Sequence, residues 1–185
     1  MKEQEKTFVC PSWLCFSFDN FTRRWYQSPI KIIFPLVKEG DSVLDIGPGR
    51  GFFTFPLASL VKSEGLVYGL DIQKKMLDII NGIADKRNYS NIITHLYDGK
   101  NFCIQEKFDF INLFWMFHEV EYKDTFLEEL KKVCKVGCKM LFAEPIIHVN
   151  KKAFNKSVQL FLDNGFSIVD TVKINISRAV IFEFK

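Results

Sequence analysis

Val43-Leu44-Asp45-Ile46-Gly47-Pro48-Gly49-Arg50-Gly51 is the stretch whose reading decides the fold. An apolar, strand-like run ends in three glycines, each one residue from the next. Beyond them Thr54 opens a helical pattern, with Pro56 in its first turn and Gly65 just past its end, so Thr54 is expected to cap that helix. Glycine takes positive φ without penalty and lets a ligand come close to the main chain. A glycine cluster alone is also a tight turn. Its place between a strand and a helix is what makes it a candidate ligand site.

Outward from this turn the chain alternates. After a first strand at 42–45, strands are predicted at 66–70, closed by Asp71, then at 91–96, Phe108–Phe114 and 139–143, the last stopped by Pro145. Helices are predicted at 74–84, 122–135 and 151–164. In the first of these Met76, Leu77, Ile80 and Ile83 share one face; in the second Phe126, Leu127, Leu130 and Val133 do. Two strands, 166–173 and 179–184, close the chain with only a few residues around 175–178 between them, so they must pair as an antiparallel hairpin. Apolar strands alternating with amphipathic helices imply an α/β fold: a doubly wound, mostly parallel seven-stranded sheet with helices on both faces and an antiparallel C-terminal hairpin strand. Residues 1–40 form an aromatic-rich preface (Phe8, Trp13, Phe16, Phe18, Phe21, Trp25, Tyr26, Phe34). There Asp19 or Asn20 is expected to cap a short helix, and Pro29 to break it from a second one ending near Gly40.

Bulk properties narrow the function classes. The 185 residues suffice for one core without disulfides, and a net charge of +3 is too small to argue for nucleic acid. The paired basic residues, Arg23-Arg24 and Lys131-Lys132 among them, read as solvated helix faces. No apolar run approaches membrane-spanning length, and the start is charged, so neither membrane insertion nor secretion is expected. Five cysteines then read as free thiols of a cytoplasmic protein.

The spacing of the glycines separates two ligand classes. A dinucleotide fingerprint, G-x-G-x-x-G, needs glycine at 52, where this chain has Phe52. G-x-G-x-G with an acidic residue two positions before Gly47 resembles motif I of the class I S-adenosylmethionine-dependent methyltransferases, which are Rossmann-like. The resemblance runs along residues 41–185, and that family's sheet ends in the same hairpin. It implies that Gly47, Pro48, Gly49 and Gly51 pass under the methionine part of S-adenosylmethionine and that Asp45 faces its amino group. It places Asp71 on the ribose hydroxyls, Ile72 against the adenine ring, and Asp98, with Gly99, at the adenine amino group. Asp71 read by itself supports a nucleoside in general or a helix cap, and Asp98-Gly99 is equally a turn former.

The fourth strand tip reads Phe114-Trp115-Met116-Phe117-His118-Glu119-Val120. Phe114 and Trp115 fall next to the sulfonium by the resemblance. The Asn/Asp-Pro-Pro-Tyr tetrapeptide of base- and glutamine-directed methyltransferases is absent. The segment is more similar to small-molecule enzymes, such as the ubiquinone and menaquinone C-methyltransferase group. The expected reaction is therefore an in-line methyl transfer to a small-molecule acceptor, leaving S-adenosylhomocysteine.

His118 is the first candidate for a general base, since it follows the fourth strand on the ligand edge; Glu144 and His148 come next. Phe16, Phe18, Trp25, Tyr26 and Trp115 are candidates to roof an apolar pocket, although core packing is the ordinary fate of an aromatic ring. No metal site is expected, because His95, His118 and His148 lie far apart in sequence and no C-x-x-C pair occurs. Cys10 and Cys15 read as inert thiols rather than as ligands of a metalloid.

Two other classes share the fold. A nicotinamide-dependent (NAD(P)-binding) oxidoreductase would use Asp71 in the same way, but Phe52, the terminal hairpin and the lack of a Tyr-x-x-x-Lys pair speak against it. A non-catalytic cofactor-binding protein is the third reading, which fold alone does not separate.

Overall fold

The structure is a computed structural model that describes residues 27–185. The first predicted helix of the preface, Cys10, Cys15 and the aromatic residues up to Tyr26 lie outside the described residues. Within them the chain runs α1 (Pro29–Ile33), β1 (Ser42–Ile46), α2 (Thr54–Val61), β2 (Leu66–Asp71), α3 (Lys74–Arg87), β3 (Ile92–Leu96), β4 (Phe108–Phe114), a 3-10 turn (Phe117–Glu119), α4 (Lys123–Val133), β5 (Cys134–Pro145), α5 (Lys151–Asp163), β6 (Phe166–Asp170) and β7 (Ser177–Phe184).

The strands form one sheet in the order β3-β2-β1-β4-β5-β7-β6. β1 pairs in parallel with β2 and β4, β2 with β3, and β4 with β5. β7 runs antiparallel to both β5 and β6. The expected doubly wound sheet with its closing hairpin is therefore the observed one. Chain order reverses between β1 and β4, and at such a switch point the strand ends splay to leave a crevice.

Two apolar layers flank the sheet. Leu127, Leu130, Phe142, Phe161 and Phe182 belong to the layer under α4 and α5. Ile33, Val43, Phe53, Leu57, Phe110 and Ile181 belong to the layer under α1 and α2. Rings of the first layer, Phe117, Phe126, Phe142, Phe161 and Phe182 among them, meet at centroid distances of 4.9–6.0 Å, which accounts for much of the phenylalanine surplus.

Several boundaries differ from those predicted, each for a local reason. Pro29 opens α1 at its first position, where the missing N–H costs nothing, and the helix is over by Ile33, well before Gly40. α3 runs on to Arg87 and stops at Asn88, which takes the left-handed conformation at φ 55°. α4 ends at Val133 because Cys134 turns extended to pair with Phe108, so β5 begins five residues early. β6 stops at Asp170: Val172 and Ile174, which continue its apolar pattern, turn onto the α1–α2 layer instead.

Candidate cofactor and acceptor site

The glycine turn that ends β1 meets the carboxyl end of β2 at Leu70 and the chain leaving β4 at Met116, and β5 lies beyond β4. Gly47, Gly49 and Gly51 all have positive φ, at 67°, 56° and 88°. The Gly47 N–H donates to the Leu70 carbonyl at 2.9 Å and the Gly51 N–H to that of Pro48 at 2.9 Å. The three glycines are needed for different reasons. A Cβ on Gly47 would lie 2.9 Å from the Met116 Cβ, and one on Gly51 would lie 2.4 Å from the Phe55 ring. A Cβ on Gly49 would meet no atom of the described residues within 4 Å. Packing thus accounts for two of them, and the third leaves free space over bare backbone.

Two carboxylates stand under and beside this turn. Asp45 is buried on β1. Its Oδ2 accepts from the Thr54 hydroxyl at 2.7 Å and its Oδ1 from the Asn112 amide at 2.8 Å. Thr54 therefore does not cap α2, whose N-cap position belongs to Phe53. A buried anion needs donors more than an open helix end does, because water can serve the helix end. Burial pushes the Asp45 carboxyl up to about 6, against the pull of these two bonds. Asp71 ends β2, and its Oδ1 accepts from the Gln73 N–H at 2.8 Å. The backbone N–H groups of Gly49 and Ile72 also point at this carboxylate, yet burial still raises it to about 6. Asp71 is thus linked directly to the free turn of the glycine loop. Ile72, next to it, is exposed.

The remaining predicted residues separate into groups. Asp98 follows β3 and accepts from the backbone N–H groups of Lys100 and Asn101 at 2.8 and 2.7 Å, which holds its carboxyl below the usual range. Those bonds close its own turn, with Gly99 at φ 89°. Phe114 is buried against Phe53, with centroids 4.6 Å apart, and is part of the core. Trp115 leaves the sheet at φ 61°, a strained value for a bulky residue. Its backbone N–H donates to Ala143 at 2.8 Å and its indole N–H to the Ser177 hydroxyl at 2.9 Å. Strain held in place by surrounding bonds is common where a fold builds a site.

His118 lies one turn further, in the 3-10 segment. Its backbone N–H donates to Glu144 Oε1 at 2.9 Å, and its ring Nδ1 lies 2.6 Å from Glu144 Oε2. Glu144, near the end of β5, is buried. Burial alone would lower the His118 pKa; the bond to Glu144 and the charges of Glu144 and Glu119 outweigh it and raise it. The His148 ring stacks on the His118 ring at a centroid distance of 6.0 Å.

Beyond His118 the edge is closed by the loop between β6 and β7. Ser177, the first residue of β7, receives Trp115, and the Gln27 amide reaches both Ser177 and the Asn175 carbonyl in the loop. A cavity of about 460 Å³ opens beside it, lined by Lys151, Phe154, Val172, Ile174, Ser177 and Arg178 among others. Among the described residues no cluster of His, Cys, Asp or Glu is placed to hold a metal ion. Asn112 and Ser177 were not picked out by sequence reasoning, and Met116 entered it only as part of the segment 114–120. Asn112 alone had a signal there: it is an amide inside the apolar run Phe108–Phe114, where a buried polar group needs a partner.

A family model described as a methyltransferase domain matches residues 37–173. A demethylmenaquinone methyltransferase of Geobacillus sp. is 29% identical over 122 residues, covering 65% of this chain and 51% of that protein. An aklanonic acid methyltransferase of Streptomyces sp. is 41% identical over 61 residues, covering 33% of this chain and 28% of that protein. The chain spans about half or less of the length of these curated relatives. In fold it is similar to a SAM-dependent methyltransferase from Aquifex aeolicus, with a TM-score of 0.83, 24% identity and coverage of 95% and 98% of the two chains. It is also similar to a putative rRNA methylase from Clostridium thermocellum, with a TM-score of 0.64, 20% identity and coverage of 85% and 94%.

Proposed function

The chain belongs to the methyltransferase domain family, and on that footing we propose that it transfers the methyl group of S-adenosylmethionine to a small-molecule acceptor. The observation that carries this reading is the pairing of open space over Gly49 with the Asp71 carboxylate at the same turn. Gly47, Pro48, Gly49 and Gly51 would cradle the methionine part, and Asp71 would accept the ribose hydroxyls. Ile72 would cover one face of the adenine, and Asp98 and Gly99 would border its amino edge. Asp45, with its oxygens bonded to Thr54 and Asn112, would influence the cofactor's amino group through the turn that it anchors. Phe114, packed on the Trp115 ring, would back the wall that Trp115 presents to the reacting atoms.

When bound, the cofactor supplies an electrophilic methyl group on a sulfonium, already an excellent leaving group. The protein's part is then placement of the acceptor in line, to about 3 Å, and exclusion of water. The Trp115 ring suits both, since an aromatic face also attracts a cation. His118 stands one turn beyond Trp115 as the candidate base. The preface up to residue 40 would complete the acceptor pocket, as the reach of Gln27 to the β6–β7 loop suggests.

The curated relatives are named for small molecules, aklanonic acid and demethylmenaquinone, which favours a small acceptor over a nucleic acid. The modest net charge points the same way. Cys103, Cys134 and Cys138 form no disulfide, which suits a cytoplasmic setting, and no helix among the described residues is long and apolar enough to cross a membrane. Equilibrium binding of S-adenosylmethionine to the wild type and to Asp71→Ala tests the reading. At least tenfold weaker binding is expected, and unchanged affinity removes Asp71 from the site.

A further inference from the structure

Glu144 is buried at the end of a strand, and both its oxygens are spent on one residue. Oε1 takes the His118 backbone N–H and Oε2 takes the ring Nδ1. A carboxylate that grips the backbone and the ring of the same histidine fixes both the side-chain rotamer and the tautomer. The proton must sit on Nδ1, so the lone pair is left on Nε2. Among the described residues the acid nearest Nε2 is Glu119, whose Oε1 lies at 3.9 Å, too far for a hydrogen bond. Among the described residues, the other groups facing the ring are His148 on the loop after β5 and Lys123 at the start of α4. Arg178, opposite Glu144 in the sheet register, directs its guanidinium to the Val149 carbonyl.

We propose that Glu144 is a positioning residue that presents His118 Nε2 as a base, and that the pair selects acceptors with a weakly acidic proton: a phenol, an enol, or a carbon between two carbonyl groups. The inference rests on the methyl-transfer reading above. The acceptor's proton passes to Nε2. The electron pair left on oxygen or carbon forms the new bond to the methyl carbon as that carbon's bond to sulfur breaks, and sulfur keeps the pair. The proton then leaves Nε2 for water. An acceptor that carries no such proton has no use for this arrangement.

Nitrogen NMR of histidine-labelled protein across pH, with His118→Gln to assign the signals, tests the pair without any acceptor. Neutral His118 should hold its proton on Nδ1. Glu144→Gln should lower the ring's proton affinity by about tenfold, one pKa unit, and Glu144→Asp should restore part of it. A proton on Nε2 in the wild type overturns the proposal, and so does an unchanged titration in Glu144→Gln. If Glu144→Gln fails to fold, the wild-type tautomer decides alone. The acceptor class is read with 4-nitrophenol, whose anion is yellow, added at pH 6 to protein saturated with S-adenosylhomocysteine. A several-fold rise in the anion is expected with wild type and none with His118→Gln; no rise with wild type overturns the acceptor class. Failure to bind S-adenosylmethionine would sink the methyl-transfer reading and leave the ring signals as they are, so the two failures are distinguishable.

Discussion

Gly47 and Met116 meet across the switch point of the sheet, so closely that a Cβ on the glycine would lie 2.9 Å from that of the methionine. The tip of β1 and the chain leaving β4 are packed against each other there. Gly47→Ala combines this clash with a positive φ of 67°. It should destabilise the protein by about 1–3 kcal/mol, read as a lower midpoint in urea unfolding. A midpoint within error of wild type would show that the tips part easily.

Gly49→Ala separates packing from binding. It carries the same kind of φ penalty, about 1 kcal/mol, but meets no described atom within 4 Å. Stability should fall by that small amount, while affinity for S-adenosylhomocysteine, followed by calorimetry, should fall more than tenfold. Equal small losses in both would mean that the space over Gly49 is not the ligand's.

The two acids at the turn predict opposite pH slopes for stability and binding. Asp45 and Asp71 are raised from 3.8 to about 6 by burial. A carboxyl with a folded pKa above its unfolded value stabilises most below the unfolded value, and that contribution is lost as pH rises through about 6. Each shift corresponds to a difference on the order of 3 kcal/mol. The melting temperature of the ligand-free protein should therefore decline between pH 4 and 7, and less so in Asp71→Asn. Ribose hydroxyls need an ionised acceptor, so cofactor affinity should instead rise over the same window, with its midpoint near 6. Affinity that is flat with pH in the wild type would contradict a role for Asp71.

Thr54→Val removes the hydroxyl that, with the Asn112 amide, donates to the Asp45 carboxylate, while keeping the shape of the side chain. The expected cost is about 1–3 kcal/mol at pH 7, measured by chemical unfolding, with Thr54→Ser close to wild type. A cap at the start of α2 would be kept by serine and lost in valine as well, so pH supplies the discrimination. The cost should shrink below pH 5, where Asp45 is protonated, whereas a cap would not respond.

How much of this was legible in sequence follows from what each signal depends on. The strand-and-helix order, the hairpin and the glycine turn rest on periodicity and on φ, which are local. They emerged almost unchanged. The role of Thr54 did not, because its partner Asp45 is brought to it by the fold of the turn. Phe114 was expected beside the ligand as the last residue of its strand; that its ring packs between those of Phe53 and Trp115, at centroid distances of 4.6 and 5.3 Å, could not be read from the sequence. Glu144 was a secondary candidate for a base. That it clamps His118 required knowing that β4 and β5 are neighbours in the sheet, with Phe114 opposite Ala143.

The central claim is that the open turn over Gly49 receives S-adenosylmethionine. A thermal-shift comparison of S-adenosylmethionine, S-adenosylhomocysteine and NAD tests it most directly. A ligand at 100 times its dissociation constant stabilises the fold by about 2.7 kcal/mol. The account predicts a saturable rise in melting temperature with the first two and none with NAD. A rise with NAD alone, or with none of the three, would contradict it.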